Sequence, residues 1–185
     1  MQQLILASAS PRRRELLDLL GLEFEVVPAG VAEVSDGDPS VIVVENALRK
    51  ARAVADSRPG AVVLGVDTDV VCDGRLLGKP GDDGDATARL RVLAGRTHEV
   101  LSGVALIAGG REECDLVRTA VTFRDLDDRE IEAYVATGEW RDRAGGYAVQ
   151  GLGSALVERI EGDLSNVIGL PIPAVVRMID ALQLR

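Results

Sequence analysis

The sequence predicts an α/β or α+β domain built on a mixed sheet, and three features carry that expectation. Residues 61–66, Ala-Val-Val-Leu-Gly-Val, form an unbroken apolar run of the kind buried inside a sheet. Asp73-Gly74 and Gly109-Gly110 lie between strand-like runs and specify antiparallel hairpins. Stretches of helical periodicity alternate with these strands without a strict βαβ rhythm.

Taken in order, residues 4–7 read as an apolar strand. A helix follows, with Ser10 as its N-cap, Pro11 at its first position, leucines through Leu20 and Gly21 as its stop. Residues 24–27 read as a strand, and 28–38 as an acidic, glycine-containing loop that includes Glu33. A long helix spans 39–56, with Val43, Val44, Ala47, Leu48, Ala51 and Val54 on its apolar face and Asn46 and Lys50 one turn apart beside it. The 61–66 strand ends in Asp67-Thr68-Asp69. The hairpin 70–77 then leads to Gly78-Lys79-Pro80-Gly81. Residues 83–94 read as a helix stopped by Gly95, and 97–108 with 111–124 as a long hairpin. Residues 127–136 read as a helix with an Asp127/Glu130 capping pattern. A glycine-rich loop over 143–151, a strand over 154–160 and a closing helix over 171–182, with Val175, Val176 and Ile179 inward, complete the chain.

The 185 residues suffice for one domain with a real core, and 1–185 is expected to be a single domain. With 46% apolar and 28% charged residues, the chain reads as globular and soluble. It has no apolar run of membrane-spanning length and no signal-peptide order at its start, so a cytoplasmic location is expected. A net charge of -9 argues against nucleic-acid or membrane-surface binding, which need a broad basic field. Cys72 and Cys114 are isolated and expected to be buried reduced thiols. The single histidine, His98, reads as an exposed or half-buried structural residue. No GxSxG elbow accompanies any serine, so serine-histidine hydrolysis is set aside.

Against this acidic background, positive charge collects at Ser8-Ala9-Ser10-Pro11-Arg12-Arg13-Arg14, where a helix opens. Free backbone N–H groups, two hydroxyls and guanidiniums at one helix start suit a phosphate. Of 21 basic residues only Lys50 and Lys79 are lysine, which hints that a compact ammonium is needed at both. Asp67 and Asp69 alternate along a strand. They either hold a divalent cation or poise a water, or they are the polar exit of the strand. An amide such as Gln150 can read a base edge. Ser8, Ser10, Arg12, Arg13, Glu33, Lys50, Asp67, Thr68, Asp69, Lys79 and Gln150 together suit metal-dependent hydrolysis of a nucleotide phosphoanhydride.

The segments LILASASPRRRELL, LRKARAVA, LGVDTDVVCDGRLLGKP, GRTHEVLSGVAL and GEWRDRAGGYAVQGLGSALVERIEGDLSNVIGLP resemble, in order and spacing, the Maf family of nucleoside triphosphate pyrophosphatases. The resemblance implies an α/β fold with a mixed twisted sheet, flanking helices and two lobes around a central cleft, often in a homodimer. It also implies cleavage of a nucleoside triphosphate to monophosphate and pyrophosphate with Mg²⁺ or Mn²⁺, as nucleotide-pool housecleaning. By motif, Asp67 resembles the proton acceptor, with Lys79, Lys50 and Arg13 beside it in catalysis. Ser8, Ser10, Arg12, Thr68 and Gln150 resemble substrate contacts, of which Arg12, Thr68 and Gln150 bear on substrate choice. Glu33 and Asp67 resemble metal or water ligands. Asp69 stands where the family pattern carries an apolar residue and is carried as a candidate additional ligand. Asp67-Thr68 and AGGYAVQG resemble the branch acting on dTTP and UTP. The alternatives are a 7-methyl-GTP pyrophosphatase and a non-catalytic nucleotide-binding regulator of septum formation.

Overall fold

The computed structural model describes residues 3–181, so Leu182, the last residue of the expected closing helix, lies outside them. Seven strands form one sheet in the order β2-β1-β3-β5-β6-β7, with β4 pairing on β3. They are β1 Leu4–Leu6, β2 Phe24–Val26, β3 Val62–Cys72, β4 Arg75–Leu76, β5 Thr97–Ala108, β6 Arg111–Phe123 and β7 Val157–Glu161. The sheet is mixed, as expected: β1 is parallel to β2 and β3, whereas β3–β4 and β6–β7 are antiparallel. The helices are α1 Pro11–Asp18, α2 Pro39–Ala55, α3 Asp83–Leu93, α4 Asp128–Ala136, α5 Leu164–Ile168 and α6 Ile172–Ala181. Among the described residues no helix is long and apolar enough to cross a membrane.

The chain divides into two compact units. The first comprises the chain up to Thr68, Ser102–Val117 and the chain from Gly169 on; the second comprises Asp69–Leu101 and Arg118–Ile168. In the first unit every residue of β1 is buried, and Ile5, Ala7, Ala47, Ala51, Val54, Val63, Ala105 and Ile107 form a core. Helix α2 opens on Asp38, whose side chain accepts from the Ser40 amide at 2.8 Å. The helix lies directly on sheet backbone at two glycines. A Cβ at Gly65 would stand 2.2 Å from the Ala47 carbonyl oxygen, and one at Gly103 would stand 2.1 Å from that of Val43. Close packing leaves no room for a methyl group at either position.

In the second unit the β3–β4 hairpin turns at Asp73 (φ 50°) and Gly74 (φ 72°), the left-handed pair that a type I′ turn requires. Helix α4 carries the expected capping box between Asp127 and Glu130 and packs on α3. Their apolar faces join Val70, Phe123, Trp140 and Tyr147 in the core.

Several expectations are corrected. Strand β3 does not end at Asp67: it continues through Cys72, because the polar side chains along it find partners on other elements. Residues Leu152–Leu156 form a 3₁₀ turn, so the strand expected from residue 154 begins at Val157. The single-turn helix α5 was not foreseen. Helix α1 ends at Asp18, which leaves Leu19 exposed. On α2 and α6, Val44 and Val176 are only half-buried, while Ile42, Asn46 and Met178 are buried. Cys72 is a buried free thiol, but Cys114 is exposed on β6. His98 is 2% exposed, its Nε2 hydrogen-bonded to the Tyr147 hydroxyl at 2.8 Å and its ring edge-on to Phe123 and Tyr147. Burial pushes its pKa down to about 4.

Candidate active site

Ser8 follows β1, and its buried hydroxyl meets the residue that precedes α1. Its Oγ accepts from the Ser10 amide at 3.2 Å, whereas the Ser10 side chain makes no capping bond to α1. Ser8 Oγ also accepts from Arg13 Nη1 at 3.2 Å. The rest of that guanidinium is held by uncharged oxygens: Nε donates to the Gly169 carbonyl at 2.9 Å and Nη2 to Thr68 Oγ1 at 3.2 Å. Burial lowers the Arg13 pKa, opposed by the charges of Asp67 and Glu33. The Thr68 hydroxyl is shared further, with Ser102 Oγ at 2.7 Å and the Gly169 carbonyl at 3.3 Å. Thr68 therefore fastens Arg13, a role that its proposed part in substrate choice did not suggest. Arg12 and Ser10 are half-buried at the start of α1, while Arg14 is exposed and 3.9 Å from Asp18.

A second group forms around Lys50. Its Nζ lies 2.6 Å from Asp67 Oδ1 and 2.5 Å from Glu33 Oε1. The Lys50 and Asp67 side chains are each only 11% exposed, while that of Glu33 is 53% exposed. Lys50 is thus no snorkelling surface residue. The close approach of α2 to the sheet at Gly65 sets its ammonium against β3. Asn46, one turn earlier on α2, donates from Nδ2 to Asp67 Oδ2 at 3.2 Å.

Asp69 has a different occupation. Its Oδ1 accepts from the Val70 amide at 2.7 Å and the Gly78 amide at 3.0 Å, which fixes the hairpin leading to Lys79. That backbone role holds one Asp69 oxygen at the base of the hairpin. Lys79 is exposed and makes no hydrogen bond or ion pair to the described residues. Its segment is tied to the glycine-rich loop, because Gly78 O accepts from the Gly145 amide at 2.9 Å. The same loop carries Gln150, which is exposed. Just beyond it, Glu139 accepts from the Leu152 amide at 2.9 Å, the Gly153 amide at 2.8 Å and the Tyr134 hydroxyl at 2.9 Å.

The structure therefore joins Ser8, Arg13 and Thr68 in one network and Glu33, Lys50 and Asp67 in another, both within the first unit. It brings the segments of Lys79 and Gln150 together in the second. Sequence reasoning missed Asn46, Ser102 and Glu139 as supporting residues. The four-residue step from Asn46 to Lys50 was the one available signal. Among the described residues no group of three or more His, Cys, Asp or Glu side chains could hold a metal ion. Two carboxylates converging on one ammonium do fit a hard cation that takes its remaining ligands from phosphate and water, as Mg²⁺ commonly does.

Comparison with known proteins places the chain in a family. A family model described as Maf-like protein matches residues 3–182. A protein of Deinococcus radiodurans named dTTP/UTP pyrophosphatase is 48% identical over 178 residues, covering 96% of this chain and 91% of its own length. A Bacillus cereus protein of the same name is 48% identical over 179 residues, covering 96% and 94%. A Bacillus anthracis protein, again named dTTP/UTP pyrophosphatase, shows the same identity and coverage. With nearly its whole length matched, the chain belongs to the family of Maf-like proteins.

Proposed function

We propose that this protein hydrolyses nucleoside triphosphates to the monophosphate and pyrophosphate, with dTTP and UTP as its preferred substrates. The observation that carries the reading is the Glu33–Lys50–Asp67 cluster, a mostly buried carboxylate steadied by an ammonium. Asp67 accepts the proton of a water that attacks the α-phosphorus. A new oxygen–phosphorus bond forms there, the bond to the bridging oxygen breaks, and pyrophosphate leaves. Lys50 and Asn46 each bind one Asp67 oxygen and fix the carboxylate for that transfer. Ser8, Ser10, Arg12 and Arg13, with the amides opening α1, are the phosphate contacts on the first unit. Lys79 adds a compact positive charge and Gln150 an amide able to pair with a pyrimidine edge. A divalent cation held by Asp67 and Glu33 would polarise the phosphoryl oxygens when bound. A cytoplasmic, homodimeric enzyme made of a single domain belongs to the same reading.

The test is pyrophosphate release from a panel of canonical and methylated triphosphates, by wild type and Asp67→Asn. Preferred turnover of dTTP and UTP, lowered about 10²–10⁴-fold in the variant, is expected. A preference for 7-methyl-GTP would overturn the substrate. Nucleotide binding with no turnover would replace the enzyme by a regulator.

A further inference from the structure

Asn46 is a polar residue set in the buried face of α2, among Ile42, Val43, Ala47, Ala51 and Val54. It is 3% exposed, and its amide is used from both ends. Oδ1 accepts from the Val34 amide at 2.7 Å, and Nδ2 donates to the Val34 carbonyl at 2.9 Å and to Asp67 Oδ2 at 3.2 Å. Only this orientation of the side chain works. The flipped amide would set its oxygen against two acceptors and its N–H groups against a donor.

The side chain pairs with Val34 as a neighbouring strand would. It thereby fastens a loop, residues 28–38, that has no helix or strand of its own. Val34 is next to Glu33, which reaches Lys50, and Lys50 lies one turn after Asn46 on the same helix. The two oxygens of Asp67 are divided between them: Oδ1 goes to Lys50 and Oδ2 to Asn46. Rotation of the carboxylate about its own axis is stopped at both ends.

We propose that Asn46 is a positioning residue for the reaction, holding Asp67 in one rotamer and the Glu33 loop in register with it. The inference rests on the proposed role of Asp67 as the base. Asn46 acts through Asp67 and Glu33 and does not itself contact the substrate, so its loss lowers turnover more than binding.

The experiment measures kcat and KM for dTTP in Asn46→Leu, which keeps the branched shape at a larger volume and removes all three bonds, and in Asn46→Asp, which keeps an acceptor for Val34 but no donor for Asp67. Circular dichroism and thermal melting confirm that the proteins are folded. A fall in kcat of about 10- to 100-fold with KM within about twofold of wild type is expected, the scale of a catalytic group displaced by a fraction of an ångström. Unchanged kcat in a folded variant, or a loss confined to KM, overturns the proposal. Should Asn46→Leu fail to fold, the isosteric Asn46→Asp decides by the same criteria. A wild-type protein that releases no pyrophosphate from any triphosphate would instead overturn the functional reading beneath it.

Discussion

Replacing Gly65 by alanine tests how the helix delivers its functional side chains. The added Cβ would meet the Ala47 carbonyl oxygen at 2.2 Å, and the backbone nitrogen and Cβ of Ala51 at 2.9 Å. None of these is the far end of a flexible side chain, so α2 must lift from the sheet by about 1 Å to restore ordinary contact. Lys50 lies on that helix, between its contacts at 47 and 51, and its 2.6 Å bond to Asp67 would open to roughly 3.6 Å, beyond hydrogen-bond range. Overpacking of this kind costs about 1–3 kcal/mol, and the disturbed, largely buried ion pair adds to it, for a loss of about 2–4 kcal/mol. Denaturant unfolding would read the stability and pyrophosphate release the activity, with kcat down at least about tenfold. Gly84→Ala, at an exposed position of α3, is the control: its Cβ meets only the Asp82 side chain, at 3.2 Å, and stability should stay within about 1 kcal/mol. A Gly65→Ala protein with wild-type stability and kcat would refute the claim that this contact sets the position of Lys50.

The buried His98 gives a pH signature. Its folded pKa of about 4 lies below the ordinary 6.5, so the unfolded chain binds the proton first and stability falls as pH drops from about 6.5 towards 4. The His98 share of that loss approaches about 3 kcal/mol at the lower limit. His98→Gln should flatten the pH dependence of unfolding by that amount, and an unchanged slope would rule the assignment out. Lys79→Arg keeps the charge but widens and flattens the cation, so turnover of dTTP should fall although the protein folds normally. Wild-type kinetics in that variant would remove the argument drawn from the scarcity of lysine.

The sequence was most readable where local chemistry decides local structure. Asp73-Gly74 and Asp127/Glu130 specify a turn and a cap through their own backbone preferences, and both form as expected. It was least readable where a side chain is satisfied by something distant in the chain. Asp67, Thr68 and Asp69 look like the exit of a strand until Lys50, Ser102 and Gly78 are seen to take up their polar atoms, which lets β3 run on. Helix α5 is a single turn, too short to show a period. The candidate residues Glu33, Lys50 and Asp67 were visible by type, and their grouping was not. It depends on α2 lying on bare backbone at Gly65 and Gly103, whereas a glycine in a strand-like run also reads as a bulge or a weak point. Asn46 was hidden for the opposite reason, since burial of an amide is decided by partners such as Val34 that no periodicity reports.

The ammonium of Lys50 has three hydrogens, and two already point at carboxylates. One remains for an incoming oxygen. The positive charges of Lys50 and Arg13 are also matched in number by the negative charges of Asp67 and Glu33. In a protein of net charge -9, this group exerts no long-range pull on a polyanion. Under the proposed function, discrimination at Lys50 is a matter of arrival rather than attraction: a phosphate gains there only once it is close enough to take that single hydrogen, in an orientation the two carboxylates have already set.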